Sequence, residues 1–293
     1  MFFILSYKKR KKRKEKRKML KLKVTAKSAK TSPSGFNLKL PTSKTRAGQS
    51  LTDYAMFIYG EQKIGKTSLT TKFPDALHCF FEPSGTDYEL HAIQPKGWAE
   101  FLAYLDLLEK EDHDFDFFII DVVDIAYDMC MLWTCQDMNG PSCTYPPTTD
   151  FGKTWKAVKD NFRRTMDRLR RLGGIIFVSH QKVSTIKEKS GFEYQKVVPS
   201  APAGCAEVLS KWCDLTGYYS FDGTDRKLFI TPEQGYEAGN RMSTRFNYTD
   251  GTKMSSINMG NSEGEAFKNF VKAFGNKLEK PKTEKPKVGG LKK

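Results

Sequence analysis

No apolar run in the 293 residues is long enough to cross a bilayer. The opening MFFILSY is too short for a span, and positive charges follow it rather than precede it, which excludes a secretion signal as well. The six cysteines (Cys79, Cys130, Cys135, Cys143, Cys205, Cys213) form no C-x-x-C pair, and the four histidines no cluster at zinc spacing. They read as buried or incidental thiols in a reducing cytoplasm. No fixed-period repeat is present, which excludes a solenoid. The guanine-specific Asn-Lys-x-Asp motif is missing, so any nucleotide reading defaults to ATP.

A net excess of either charge is missing where a fold would lie. Of the formal +15, residues 8–18 (KKRKKRKEKRK) carry +9 and residues 277–293 carry +5, which leaves +1 for everything between. The basic character therefore belongs to two tails expected to be disordered, which suit either salt-dependent phosphate contacts or plain solvation. A Lys/Arg/Glu run is also what a purine-rich stretch upstream of a bacterial start codon would encode. Met19 is accordingly the expected native first residue, and N-terminal sequencing tests it.

What is present is a phosphate-binding pattern. YAMFIYGEQKIGKT, residues 54–67, runs from an apolar strand into Gly60, Glu61, Gln62, Lys63, Ile64, Gly65, Lys66 and Thr67, fitting G-x-x-x-x-G-K-[ST]. Ser68 to Phe73 would open a helix that Pro74 stops. Glycines let the backbone curl so that N–H groups converge on a phosphate, with Lys66 reaching the β/γ oxygens and the Thr67 hydroxyl on Mg2+. The cofactors implied are ATP and Mg2+.

Downstream, Leu77 to Phe81 form a strand that ends at Glu82, and Trp98 to Leu108 a helix. Phe115 to Ile120 form a strand that presents Asp121 to the same metal. Val122 stands where many motor ATPases place a catalytic glutamate, so Glu82 becomes the expected base, with Asp124 in reserve. Ile125 to Met138 should be helical and 139–150 a loop. Trp155, Val158, Phe162, Met166, Leu169 and Leu172 step at helical spacing, with Arg163, Arg164, Arg168, Arg170 and Arg171 on the outer face. A fourth strand, Ile175 to Ser179, ends in His180 and Gln181, polar groups suited to sensing the γ-phosphate. The next segment, 182–199, looks mobile. Its Lys182, Lys187, Lys189, Phe192, Tyr194 and Lys196 suit backbone contacts and base stacking, yet its alternation equally fits a plain β-hairpin.

The ordered set EQKIGKTSLTTKFP, FFEPSG, FFIIDVVDIAYDMC, FGKTWKAVKDNF and IIFVSHQK resembles the phage-encoded, core-only RecA-like ATPases of single-strand annealing and recombination, AAA-type nucleotide-binding phage proteins, over residues 50–232. The resemblance implies an α/β P-loop NTPase fold with a mostly parallel central sheet flanked by helices. It also implies ATP use and single-stranded DNA binding alongside a single-strand-binding protein, in a homo-oligomer. It makes Glu82 the catalytic glutamate and His180 or Gln181 the γ-phosphate sensor ahead of a DNA-binding loop.

The expected organisation is a basic arm at 1–48, an ATPase core at 49–235, an extension at 236–276 without assigned role, and a basic tail at 277–293. Two alternatives remain: an ATP-dependent loader gripping a replication partner, and a small-molecule kinase, which would need a lid of arginines after the loop.

Overall fold

The strands Ala55–Gly60 and Phe117–Asp121 and the first half of Gly174–Lys187 are almost wholly apolar and buried, and that follows from their position between two helical layers. The computed structural model describes residues 40–45 and 47–281. The basic runs at 8–18 and 282–293, Met19, and most of the arm at 1–48 lie outside the described residues. The strands are β1 (Ala55–Gly60), β2 (Ala76–Phe80), β3 (His91–Ile93), β4 (Phe117–Asp121), β5 (Gly174–Lys187), β6 (Glu193–Pro199), β7 (Leu215–Asp222), β8 (Asp225–Phe229), β9 (Gly239–Asn240) and β10 (Ser256–Asn258). The helices are α1 (Lys66–Thr70), α2 (Trp98–Lys110), α3 (Val123–Asn139), α4 (Lys153–Leu172), α5 (Ala203–Trp212) and α6 (Glu263–Phe274).

The sheet runs β10-β8-β7-β1-β5-β4-β2-β3. From β7 to β3 every neighbouring pair is parallel, whereas β8 and β10 add antiparallel strands at one edge. This is the expected α/β architecture, a RecA-like core. Alternation along each strand feeds two apolar layers. Phe57, Phe118, Ile120 and Phe177 pack with Phe101, Tyr127, Phe162 and Leu209 of α2 to α5. Met56, Ile58, Ile119 and Ile176 pack on the other face with Leu69 of α1 and with Phe270 and Phe274 of α6.

Three local expectations are revised and one open alternative is decided. The helix after the loop begins at Lys66 and ends at Thr70 instead of spanning Ser68 to Phe73. The one after Asp121 starts at Val123, two residues early. The 139–150 loop closes with a 3-10 turn at Thr148–Asp150. Segment 182–199, left open between a mobile loop and a hairpin, is the β5–β6 hairpin. β5 continues past Ser179 to Lys187 and pairs antiparallel with β6 from Gln181↔Pro199 to Lys187↔Glu193. Its tip closes on Gly191 at φ 89°, with Glu188 N donating to Phe192 O at 2.9 Å.

Region 236–276 belongs to the same compact unit as the core. α6 is capped by Ser262, whose Oγ accepts from Glu265 N at 3.2 Å. Its Phe267 and Phe270 lie against Phe73, and Phe270 and Phe274 against Phe246. The α4 arginines brace the fold: Arg168 bonds Asp106 and Glu109 of α2, and Arg170 bonds the Thr52 and Gly173 carbonyls. All six cysteines are free thiols, five of them buried. No helix among the described residues is long and apolar enough to cross a membrane.

Candidate nucleotide-binding site

β1 lies mid-sheet between β5 and β7, with Gly60 in register with His180 on one side and Tyr219 on the other. A Cβ on Gly60 would stand 2.0 Å from the Tyr219 carbonyl oxygen, so this glycine is required by the approach of β7. Past it, Lys63 (φ 63°) and Gly65 (φ 106°) are left-handed. Such turns make a concave nest of backbone N–H groups that favours anions. α1 is only five residues long, so the loop's own amides dominate that preference.

Lys66 folds back over the loop, its Nζ donating to Gly60 O at 2.9 Å and Glu61 O at 2.5 Å. Burial pushes this ammonium down to about 8, against the opposing pull of Asp121 and Glu82. Thr67 Oγ1 donates to Asp121 Oδ2 at 2.7 Å. Burial pushes the Asp121 carboxyl up to about 6, while the Thr67 hydrogen bond and Lys66 pull it down. The peptide between Asp121 and Val122 is cis. Ile64 is buried in the core layer shared with α1, Ser68 Oγ is 2.7 Å from Tyr88 Oη, and Glu61, Gln62 and Lys63 face solvent.

At the neighbouring strand ends, Glu82 Oε1 lies 3.4 Å from His180 Nε2. Gln181 Nε2 reaches Glu61 Oε1 at 3.4 Å. The His180 Nδ1 and Gln181 Oε1 atoms are buried without a hydrogen-bond partner. Asp124, the reserve base, has both oxygens engaged: Ser179 Oγ donates to Oδ1 at 2.6 Å and Ser200 Oγ donates to Oδ2. It clamps the hairpin root, a structural task.

The hairpin separates the six residues expected to touch DNA. Alternation and register put Lys182, Tyr194 and Lys196 on one face with Ile186, and Lys187 on the other, where its Nζ meets Glu193 Oε1 at 3.1 Å. Lys189 and Phe192 sit at the exposed tip, and Phe192 stacks on Tyr194 with centroids 6.2 Å apart. Tyr59, one residue before Gly60, holds the root: its Oη donates to Glu237 O at 2.6 Å, lies 3.1 Å from Val197 O, and accepts from Glu237 N at 3.0 Å.

Several residues at the loop escaped the sequence reading. Tyr88 Oη donates to Glu263 Oε1 at 2.8 Å, and Lys72 Nζ meets Glu263 Oε2 at 3.0 Å. α6 is thereby tied to α1 and to the segment after Glu82. A Cβ on Gly65 would stand 4.0 Å from Nη1 of Arg226 on β8. No local pattern marks these residues, because each is brought in by strand pairing or by the packing of α6. Of the α4 arginines, Arg168 and Arg170 are committed to α2 and to backbone carbonyls.

A glycine-lysine-threonine loop on the central strand of a mostly parallel sheet, facing an aspartate on the next strand but one, defines a P-loop NTPase. A family model described as an AAA domain matches residues 52–242, and the chain belongs to that family. The match makes this a nucleotide-binding domain and covers every motif strand, stopping short of α6. No curated protein matches the chain.

Proposed function

We propose that the chain binds and hydrolyses ATP with Mg2+, and that its nucleotide state controls single-stranded DNA binding on the β5–β6 hairpin, in phage DNA recombination or strand annealing. A homo-oligomer working beside a single-strand-binding protein fits this role. The observation that carries it is continuity: β5 bears His180 and Gln181 beside Glu82 and Glu61, and then becomes the hairpin itself.

The residues present fit the ligands. Thr67 Oγ1 and Asp121 Oδ2 are hard oxygen donors 2.7 Å apart, suited to a Mg2+ that also takes phosphate oxygens. When bound, the ion neutralises developing charge on the phosphates. Lys66 would exchange its loop carbonyls for β/γ oxygens. Glu82 would accept the proton of the attacking water, oriented by His180. Loss of the terminal phosphate would free His180 and Gln181 to shift, moving the hairpin between binding and release.

The test is ATP hydrolysis by the full chain with and without single-stranded DNA, for wild type and Glu82→Gln, at two salt concentrations. DNA stimulation that disappears in Glu82→Gln is the expected result. Hydrolysis indifferent to DNA would reject the DNA reading in favour of a loader that grips a replication partner.

A further inference from the structure

The phosphate-facing residues all lie to one side of β1. Asp121 ends β4, Glu82 follows β2 and His180 is on β5, which in the sheet order are β1's neighbours in one direction. In the other direction lie β7 and β8, and there the loop opens into a cleft of about 760 Å3 walled by Lys63, Gly65, Tyr219, Arg226, Glu263 and Gly264. That volume is within the range of small-molecule sites, roughly 300–1,000 Å3. A nucleotide whose terminal phosphates face Asp121 and Glu82 has to leave the loop through this cleft.

Arg226 is placed to meet it. A Cβ on Gly65 would stand 4.0 Å from Arg226 Nη1. Its cross-strand partner is Phe221, and the guanidinium carbon lies 5.7 Å from that ring centroid. Nη1 is 3.4 Å from Asn261 O, whereas Nε is buried and has no hydrogen-bond partner. A planar cation backed by an aromatic ring at the edge of an open cleft is a stacking platform for a base. Of the other basic side chains lining the cleft, Lys72 is paired with Glu263 and Lys63 lies on the loop.

We propose that this cleft holds the base and ribose of the nucleotide, that Arg226 stacks on the base, and that the start of α6, beyond the family match, forms the outer wall. The inference rests on the ATP reading and adds the residues that recognise the nucleoside. Arg226 is then a determinant of nucleoside recognition, distinct from the groups around the terminal phosphates.

Titration calorimetry with ATP and with inorganic tripolyphosphate, both with Mg2+, separates the two ends. Wild type, Arg226→Ala, Gly264→Trp and Lys66→Ala are compared. Gly264 is an exposed residue in the first turn of α6 that lines the cleft and where a Cβ meets open space, so Gly264→Trp adds bulk at the cleft wall without entering the core and keeps the test valid should Arg226→Ala fold poorly. Arg226→Ala and Gly264→Trp should each weaken ATP roughly tenfold and leave tripolyphosphate unchanged, whereas Lys66→Ala should lose both ligands. Unchanged ATP affinity in both cleft variants would overturn the inference and leave the ATP reading standing. An equal loss for both ligands would overturn it too, by placing Arg226 on the phosphates. Failure of wild type to bind either ligand would defeat the nucleotide reading itself.

Discussion

His180 Nε2 lies 3.4 Å from Glu82 Oε1, joining the strand that becomes the hairpin to the carboxylate beside the phosphate loop. Glu82→Gln keeps nearly the same volume and removes the proton acceptor. ATP binding should be retained while hydrolysis falls by about 10²–10⁴-fold. Phosphate release and fluorescent-nucleotide titration on the same preparation check both halves, and hydrolysis at the wild-type rate would remove Glu82 from the chemistry.

Lys66→Ala should abolish nucleotide binding with the fold intact. The ammonium is held by two loop carbonyls and is desolvated before any ligand arrives, so the apo protein has little to lose with it. Circular dichroism and calorimetry on the variant decide the matter; retained ATP affinity would mean the loop is not the phosphate site.

Gly60→Ala should destabilise the protein by at least about 1–3 kcal/mol. The added carbon meets a backbone oxygen of β7 at 2.0 Å, and no rotamer can relieve a main-chain clash. Urea denaturation measures it. A cost near zero would show that β1 and β7 can separate freely at the loop.

Tyr59→Phe removes the hydroxyl that donates to Glu237 O and accepts from Glu237 N, at a cost of roughly 1–2 kcal/mol for two part-buried hydrogen bonds. ATP affinity should persist, while coupling between nucleotide and hairpin weakens. Comparing single-stranded DNA affinity with and without ATP gives the readout, and undiminished coupling would assign the hairpin's control to Gln181 and Asp124 alone.

His78 on β2 supplies a pH prediction. The ring is buried against Phe80, and burial pushes its pKa down to about 4. The folded state thus resists protonation, and the unfolded chain, with an ordinary value near 6.5, takes the proton first. Stability is full above about 6.5 and falls as pH drops toward about 4. His78→Leu should flatten that part of the curve in melts between pH 7 and 4, and an unchanged slope would locate the acid sensitivity elsewhere.

The loop and its facing aspartate were legible because their signals are local. Gly60, Gly65, Lys66 and Thr67 are close in sequence, and Asp121 ends a strand that is apolar throughout, since helices cover both faces. Glu82 was legible as a strand end, although only the fold shows His180 beside it. Whether 182–199 was loop or hairpin could not be read, since its alternating residues become a strand only through pairing with their own return. The C-terminal region was opaque for a related reason. β9 and β10 are two and three residues long, too short for a periodicity, and each exists because a longer strand accepts it. Arg226 carried no motif because it comes near Gly65 only through the fold, the two being distant in sequence.

The family match ends at residue 242, yet Glu263 bonds Tyr88 and Lys72, and Phe270 lies against Phe73. Ancestry and cooperativity therefore draw their borders in different places. A fragment excised at the family border would keep every signature residue and still expose the apolar flank of α1, so it should aggregate or melt early. Chimeras that graft this domain onto another partner would have to carry the chain through at least Phe274.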